Sequence, residues 1–290
     1  MQTALRLDPI SSKLQVCAMQ QDATEELLIL TKTYPSPSAS QRETTCVAAV
    51  NNSGELRRLF PVPFRLLEGE KRFQKWEFIR ARVSIPNKDH RPESRRIDTD
   101  SIQRPGKSVA VKHGDWSQRL KWIEPHVIPS FSALEARRQA TGQTLGFLRP
   151  DRIVKLEITR VKDPDWTEAD KAKLSQDGLF DSAAIRSRPP LRKLPFDFHY
   201  HYESGGQLER HKLVDWEVGA LYWHCFGDHG PAGWEAKFRQ RLETEFSQKD
   251  LLFLMGTIHR FPDQWLIVGF VYPPKPPPVR AAQLGLRLDQ

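Results

Sequence analysis

Trp76-Glu77-Phe78-Ile79-Arg80-Ala81-Arg82-Val83-Ser84-Ile85 is the stretch that decides the fold. Side chains alternate between the two faces of a strand with a period of two. Ile79, Ala81, Val83 and Ile85 therefore share one apolar face. Trp76, Phe78, Arg80 and Arg82 share the other, two aromatics followed by two arginines. Pro86 supplies no ladder N–H and stops the strand.

The flanking sequence is also strand-rich. Leu27–Thr31 is apolar and ends before the turn-forming Tyr34-Pro35-Ser36-Pro37-Ser38. Thr44–Val50 and Glu55–Phe60 flank Asn51-Asn52-Ser53-Gly54, a hairpin turn whose residues tolerate positive φ. Pro61 and Pro63 end that hairpin. Residues 87–121 are polar and charged, long for a structureless loop, and read as a segment that orders on binding.

Ser132-Ala133-Leu134-Glu135 has the form of a capping box, opening a helix that Gly142 closes. Thr144–Leu148 and Ile153–Val161 read as strands. Thr167 caps a helix that runs to Gly178, and residues 181–195 form a Pro/Arg-rich connector. Beyond it, Phe198–Glu203 and Leu208–Val214 flank Ser204-Gly205-Gly206-Gln207. Asp215 caps a helix, and Pro231 sits in the first turn of another. Leu251–Arg260 and Trp265–Tyr272 form a last hairpin around Phe261-Pro262-Asp263-Gln264.

The expected fold is α+β and mostly β, with one or two small OB-like barrels followed by a compact α+β module. The expected division is a lead-in at 1–24, a β-rich region at 25–195, the module at 196–274 and a Pro-rich tail at 275–290.

Charge is unevenly distributed. The 290 residues carry a formal net charge of +8. Between Arg57 and Lys121 there are 17 Lys/Arg against 8 Asp/Glu, so this stretch alone is +9. From Asp197 to Asp250 there are 10 acidic and 6 basic residues. Clustered cations release condensed counterions when they neutralise phosphates, so a local basic stretch suits a polyanion. Three cysteines, far apart and without a CxxC, point to reduced thiols and the cytoplasm. No apolar run reaches the roughly 18 residues of a membrane span.

The first candidate site is Trp76, Phe78, Arg80 and Arg82, whose rings could stack on bases while the guanidiniums hold phosphates. Arg57, Arg58, Arg65, Lys75, Arg91, Arg95, Arg96, Lys107 and Lys112 would add to its field. The rival reading of that face is a second packing layer with its arginines paired to acids. His199 and His201, on one face of a strand, could begin a metal site. A two- or four-residue turn puts His201 opposite Arg210 and His211 opposite Tyr200; only a three-residue turn would join His201 to His211. No Walker loop, GxGxxG, GxSxG or HExxH is present, so no cofactor is expected and no catalytic residue is assigned.

Leu28–Thr33, Thr45–Val50 and Gly54–Val62 together resemble the opening of bacterial proteins described as dual OB-containing. Leu145-Gly146-Phe147-Leu148-Arg149-Pro150 resembles the opening of that family's second barrel. The likeness covers about residues 26–160, with Ala49 where the pattern has Gly and Leu56 where it has Trp. It implies nucleic-acid binding with low sequence preference, in a bacterial defence or DNA-processing system. The expected partners are single-stranded or duplex nucleic acid and other subunits of a larger complex, with no membrane. Two other functions remain open at this point: an enzyme on nucleic acids or nucleotides with its site between the two modules, and a subunit docking an acidic protein.

Overall fold

In the computed structural model, residues 22–176 and 183–276 are described. Most of the expected lead-in and tail lies outside them. The first strand, β1 (Ala23–Lys32), is followed by β2 (Ser36–Ser38), β3 (Arg42–Asn51), β4 (Leu56–Val62), β5 (Phe78–Ser84) and β6 (Ser94–Ile97). β1 pairs antiparallel with β3 and β5, β3 with β4, and β5 with β6. A parallel pairing of β4 with β6 closes the ring. The result is a closed five-stranded OB-like barrel, with β2 added outside it along β3. Leu27, Ile29, Val47, Leu59, Ile79 and Val83 fill its interior.

Residues 98–109 do not form a loop awaiting a ligand. They continue β6 along β5, where Arg80 N–H donates to Gln103 O and Gln103 N–H to Arg80 O, both at 2.9 Å. Phe78 N–H donates to Lys107 O and Val109 N–H to Trp76 O. Main-chain pairing orders a segment whose side-chain pattern shows no period.

The rest of the chain adds α1 (Ser117–Leu120), β7 (Val127–Ile128), α2 (Phe131–Thr141), β8 (Leu145–Leu148), β9 (Arg152–Arg160), α3 (Glu168–Leu174), α4 (Ala183–Arg186), β10 (Phe196–Ser204), β11 (Gln207–Leu213), α5 (Trp216–Arg239), β12 (Leu252–Ile258) and β13 (Phe261–Val271). Their sheet runs in the order β7-β8-β12-β13-β11-β10-β9. β8 and β9 sit toward opposite ends of it, yet only Arg149-Pro150-Asp151 separates them in the chain. They are two halves of one bent strand, and the sheet curls to bring them together. Counted that way, the second sheet repeats the pairings of the first barrel, including the parallel pair, here β11 with β13.

Phe198, Tyr200, Tyr202, Phe253 and Ile267 point into the curl, and α5 plugs it with Tyr222 and Phe238. Asp215 caps α5 through Glu217 N–H and Val218 N–H. Gly230, at φ 66°, breaks the helix before Pro231, so the two expected helices meet there.

This sheet moves the domain boundary. β9 pairs with β10 across the connector where a boundary was expected near residue 195. The seam between the two units instead follows the first barrel, near residue 126. Between β9 and β10, the chain around Arg188 and Arg192 reaches back onto the barrel. Arg188 Nη2 donates to Leu67 O, and Tyr34 Oη donates to Arg192 O.

Three local expectations shift as well. α2 is capped by Ser130 rather than Ser132, and Glu135 instead pairs with Arg138 and accepts from Trp265 Nε1. Phe261-Pro262-Asp263-Gln264 begins β13 rather than forming the turn. Ile85 lies beyond β5 and is exposed.

The two units meet over an apolar seam. Leu28, Leu30, Ala48 and Val50 on the outside of the barrel pack with Phe147, Leu252, Leu254 and Val268 of the second sheet. Beside it, the Tyr34 ring packs against α5 at Gly219, where an added Cβ would overlap its Cδ2 and Cε2. The ring is held there by Trp223 Nε1, which donates to its hydroxyl at 2.9 Å. Alanine ordinarily improves a helix interior by about 1 kcal/mol over glycine. Here Gly219→Ala should instead cost roughly 1–3 kcal/mol by overpacking. A thermal melt giving an unchanged or higher midpoint would refute this docking of Tyr34.

Candidate nucleic-acid interface

The residues expected to form one basic face separate into three groups. Trp76 and Phe78 are covered. Trp76 precedes β5 with φ 67° and is only 4% exposed. It packs edge-on to Trp116 at 6.4 Å, and the Arg119 guanidinium lies 4.7 Å from its ring centre. Phe78 is half-buried against Trp122 at 5.7 Å. Trp116, Arg119 and Trp122 of the 109–123 segment pack against the ring surfaces that were expected to stack on bases.

A second group is engaged in the fold. Arg57 reaches Glu25 at 3.0 Å, and Arg95 approaches the same carboxylate at 3.9 Å. Arg58 is buried, with Nη2 on Glu93 at 3.3 Å and on Thr144 O at 2.9 Å. Arg65 pairs with Glu43, and Arg91 with Asp89 while donating to Thr257 O at 2.8 Å. Lys75 bonds Glu217 and Phe270 O, each at 2.9 Å. Arg58, Arg91 and Lys75 therefore tie the barrel to the second sheet, because their carboxylate and carbonyl partners cross or flank the seam. Single-chain charge counts carry no information about such partners.

The third group is open. Arg80 and Arg82 alternate with buried Ile79, Ala81 and Val83 along β5 and point outward. Arg96 on β6, Lys107 and Lys112 are also exposed. Among the described residues, Arg80, Arg96, Lys107 and Lys112 make no ion pair. Arg82 is held by Asp98, with Nε at 3.1 Å, and the guanidinium keeps that carboxyl below its usual range. Thr24, Arg80, Arg82, Asp100, Ser101 and Gln103 line a shallow open groove of about 490 Å³. Glu26 lies opposite Arg80 in the β1–β5 ladder, so the groove carries both signs of charge. Of the four-residue face, Arg80 is exposed and, among the described residues, unpaired; Arg82 is exposed but paired with Asp98, and the aromatic half is packed against the 109–123 segment.

The histidines follow the two-residue turn. His201 lies opposite Arg210, and His211 opposite Tyr200. His201 Nε2 is 2.6 Å from Glu157 Oε2, and the same carboxylate also accepts from Arg210 Nε and Nη2. These bonds, Arg210 first and His201 second, hold the Glu157 carboxyl far below its usual range. His199 lies on the same face without joining them. His211 is buried, and Tyr202 Oη is 2.9 Å from its Nδ1. Burial pushes its imidazole down to about 4. Among the described residues, no group of three His, Cys, Asp or Glu is arranged to hold a metal.

A polar cluster at the seam escaped the sequence reading. Thr31 Oγ1 donates to Asp215 Oδ2 at 2.9 Å, linking β1 to the cap of α5. Lys32 points into rings contributed from elsewhere, with Nζ 4.3 Å from the centre of Phe64 and 5.8 Å from that of Phe73. Phe64 also meets Trp216 edge-on at 5.5 Å. Burial lowers the Lys32 ammonium to about 8, against the pull of the Glu217 and Asp215 carboxylates. Burial likewise raises the Asp215 carboxyl, opposed by Lys75. Asp215 was legible as a helix cap, but it lies far from Lys32 in the chain, so no local motif announces that the two meet.

Comparison with known families divides the chain where the structure does. A family described as a domain of unknown function (DUF8757) matches residues 127–289. A second, also a domain of unknown function (DUF8758), matches residues 23–125. The first match spans more than half of the chain, which belongs to that family. Among curated proteins, none matches the sequence.

The Lys32 environment has a measurable consequence. A lysine whose folded pKa is depressed stabilises the fold above its unfolded pKa, and that contribution is lost as pH falls through the folded value. Here the window runs from 10.5 down to about 8. Lys32→Met removes the cost of burying the charge. Its stability advantage over wild type should shrink by about 2 kcal/mol as pH rises from roughly 7.5 to 10. Urea titrations at those two pH values read the difference, and a constant gap would show that Lys32 is not buried as described.

Proposed function

We propose that this protein binds nucleic acid with low sequence preference through the outer face of its N-terminal barrel. The observation that carries the proposal is the exposed arginine row of β5, Arg80 and Arg82, beside Arg96 on β6 and above an open groove. Guanidiniums projecting from a rigid strand bind phosphate oxygens, contacts that fix position and carry no sequence information directly. The OB-like barrel supports the reading, since this architecture presents oligonucleotide-binding surfaces on its strands and loops. The resemblance to dual OB-containing bacterial proteins supports a role in a defence or DNA-processing system, in company with other subunits.

The double variant Arg80→Ala/Arg82→Ala should weaken binding by about tenfold or more at moderate salt. It should also make the log–log salt slope shallower by about 1.4 for a single strand, at roughly 0.7 per lost phosphate contact. Fluorescence anisotropy over a salt series measures both. Equal affinity and slope in variant and wild type would place the binding surface elsewhere.

A further inference from the structure

Phe60 is an exposed aromatic ring on the barrel's arginine-bearing outer surface. It is 47% exposed and belongs to none of the three apolar clusters. Among the described residues, no ring or cation packs over it. Its position follows from the ladders. Leu59 on β4 points into the barrel, so Phe60 points out. In the parallel pairing, Leu59 stands beside Arg95. Carried one residue beyond this last ladder pair, the register sets Phe60 alongside Arg96, which is exposed. In the antiparallel pairing, Arg96 stands beside Ser84 of β5, two residues from Arg82. Neighbouring strands are about 4.8 Å apart, so Phe60, Arg96 and the β5 row cross three strands in a band about 10 Å wide.

We propose, resting on the nucleic-acid reading above, that the occupant of this face is a single strand. One base stacks on Phe60, and flanking phosphates meet Arg96 and Arg82. The chemistry separates the two forms of nucleic acid. A single strand can turn a base face toward an aromatic ring, a contact worth about 1–3 kcal/mol per base. An intact duplex keeps its base faces stacked inside and offers this surface phosphates and groove edges. Trp76 and Phe78 cannot supply the platform, since both are covered within the fold. Phe60 performs the role expected of them, one strand-to-strand step across the barrel.

The test uses the full chain, a thymidine oligonucleotide of about 20 residues, a duplex of the same length, and two salt concentrations. Wild type should prefer the single strand. Phe60→Ala should lose about tenfold on the single strand, with its salt slope unchanged, and little on the duplex. Phe60→Leu, which keeps apolar bulk at an exposed position, should lose nearly as much, and Phe60→Trp should retain or improve binding. Matching far-UV circular dichroism in the variants verifies that they fold. A wild type that prefers duplex, or a Phe60→Ala variant unaffected on single strands or equally weakened on both, overturns the single-strand assignment while leaving nucleic-acid binding intact. A wild type that binds neither ligand overturns the nucleic-acid reading itself, and this inference with it.

Discussion

The burial of β1 on both faces constrains everything else. Leu27 and Ile29 fill the first barrel, while Leu28 and Leu30 face the second sheet. A strand with one wet face would carry polar residues at alternate positions; this one cannot, and Leu27-Leu28-Ile29-Leu30 is the consequence. The four residues join two cores through a single strand. Exposing the outer pair would return several large apolar side chains to water, each worth about 1.5–3 kcal/mol. The seam thereby fixes which faces of the barrel remain open.

The polar residues around the seam act on its geometry. Arg58, 4% exposed at its side chain, bonds through Nη2 to Glu93 Oε1 and to Thr144 where the two units touch. A buried pair of this kind adds little net stability over an apolar replacement, but removing one partner leaves a stranded charge at a cost of about 3–5 kcal/mol. A shifted docking that separated Arg58 from Glu93 and Thr144 would carry the same cost. Asp215 has a similar position, with one oxygen capping α5 and the other accepting from Thr31. The helix that plugs the second curl is in this way indexed to the first barrel.

Much of the strand pattern was legible from residues. The alternation around Ile79–Val83, the Asn51–Gly54 hairpin and the Ser204–Gln207 turn rest on contacts a few residues apart, and local chemistry decides them. The sequence left two pairings for His201 open, and the two-residue Gly205-Gly206 turn selected its opposition to Arg210. The domain boundary did not, because β9 and β10 pair across a Pro/Arg-rich insertion that looks like a linker in composition. The order of residues 98–109 was also hidden, since their partner is the backbone of β5 and backbone pairing leaves no side-chain period. Within the site, Arg80 and Arg82 were readable as outward residues of a strand, and Phe60 was lost among six aromatics of the same stretch.

The sequence by itself determined most of the longer strands, the alternating faces of Ile79–Val83, and the concentration of positive charge between Arg57 and Lys121. Only the tertiary structure decided which of those charges are surface. Glu25, Glu93 and Glu217 are 32, 35 and 142 residues from the cations they meet. A charge count cannot distinguish a paired arginine from an open one when the partner comes from another strand or another unit. The same holds for Trp76 and Phe60. Both are aromatic residues in the basic stretch, and the folding of Trp116 and Arg119 over one, with no ring or cation among the described residues packed over the other, separates a buried residue from an exposed one.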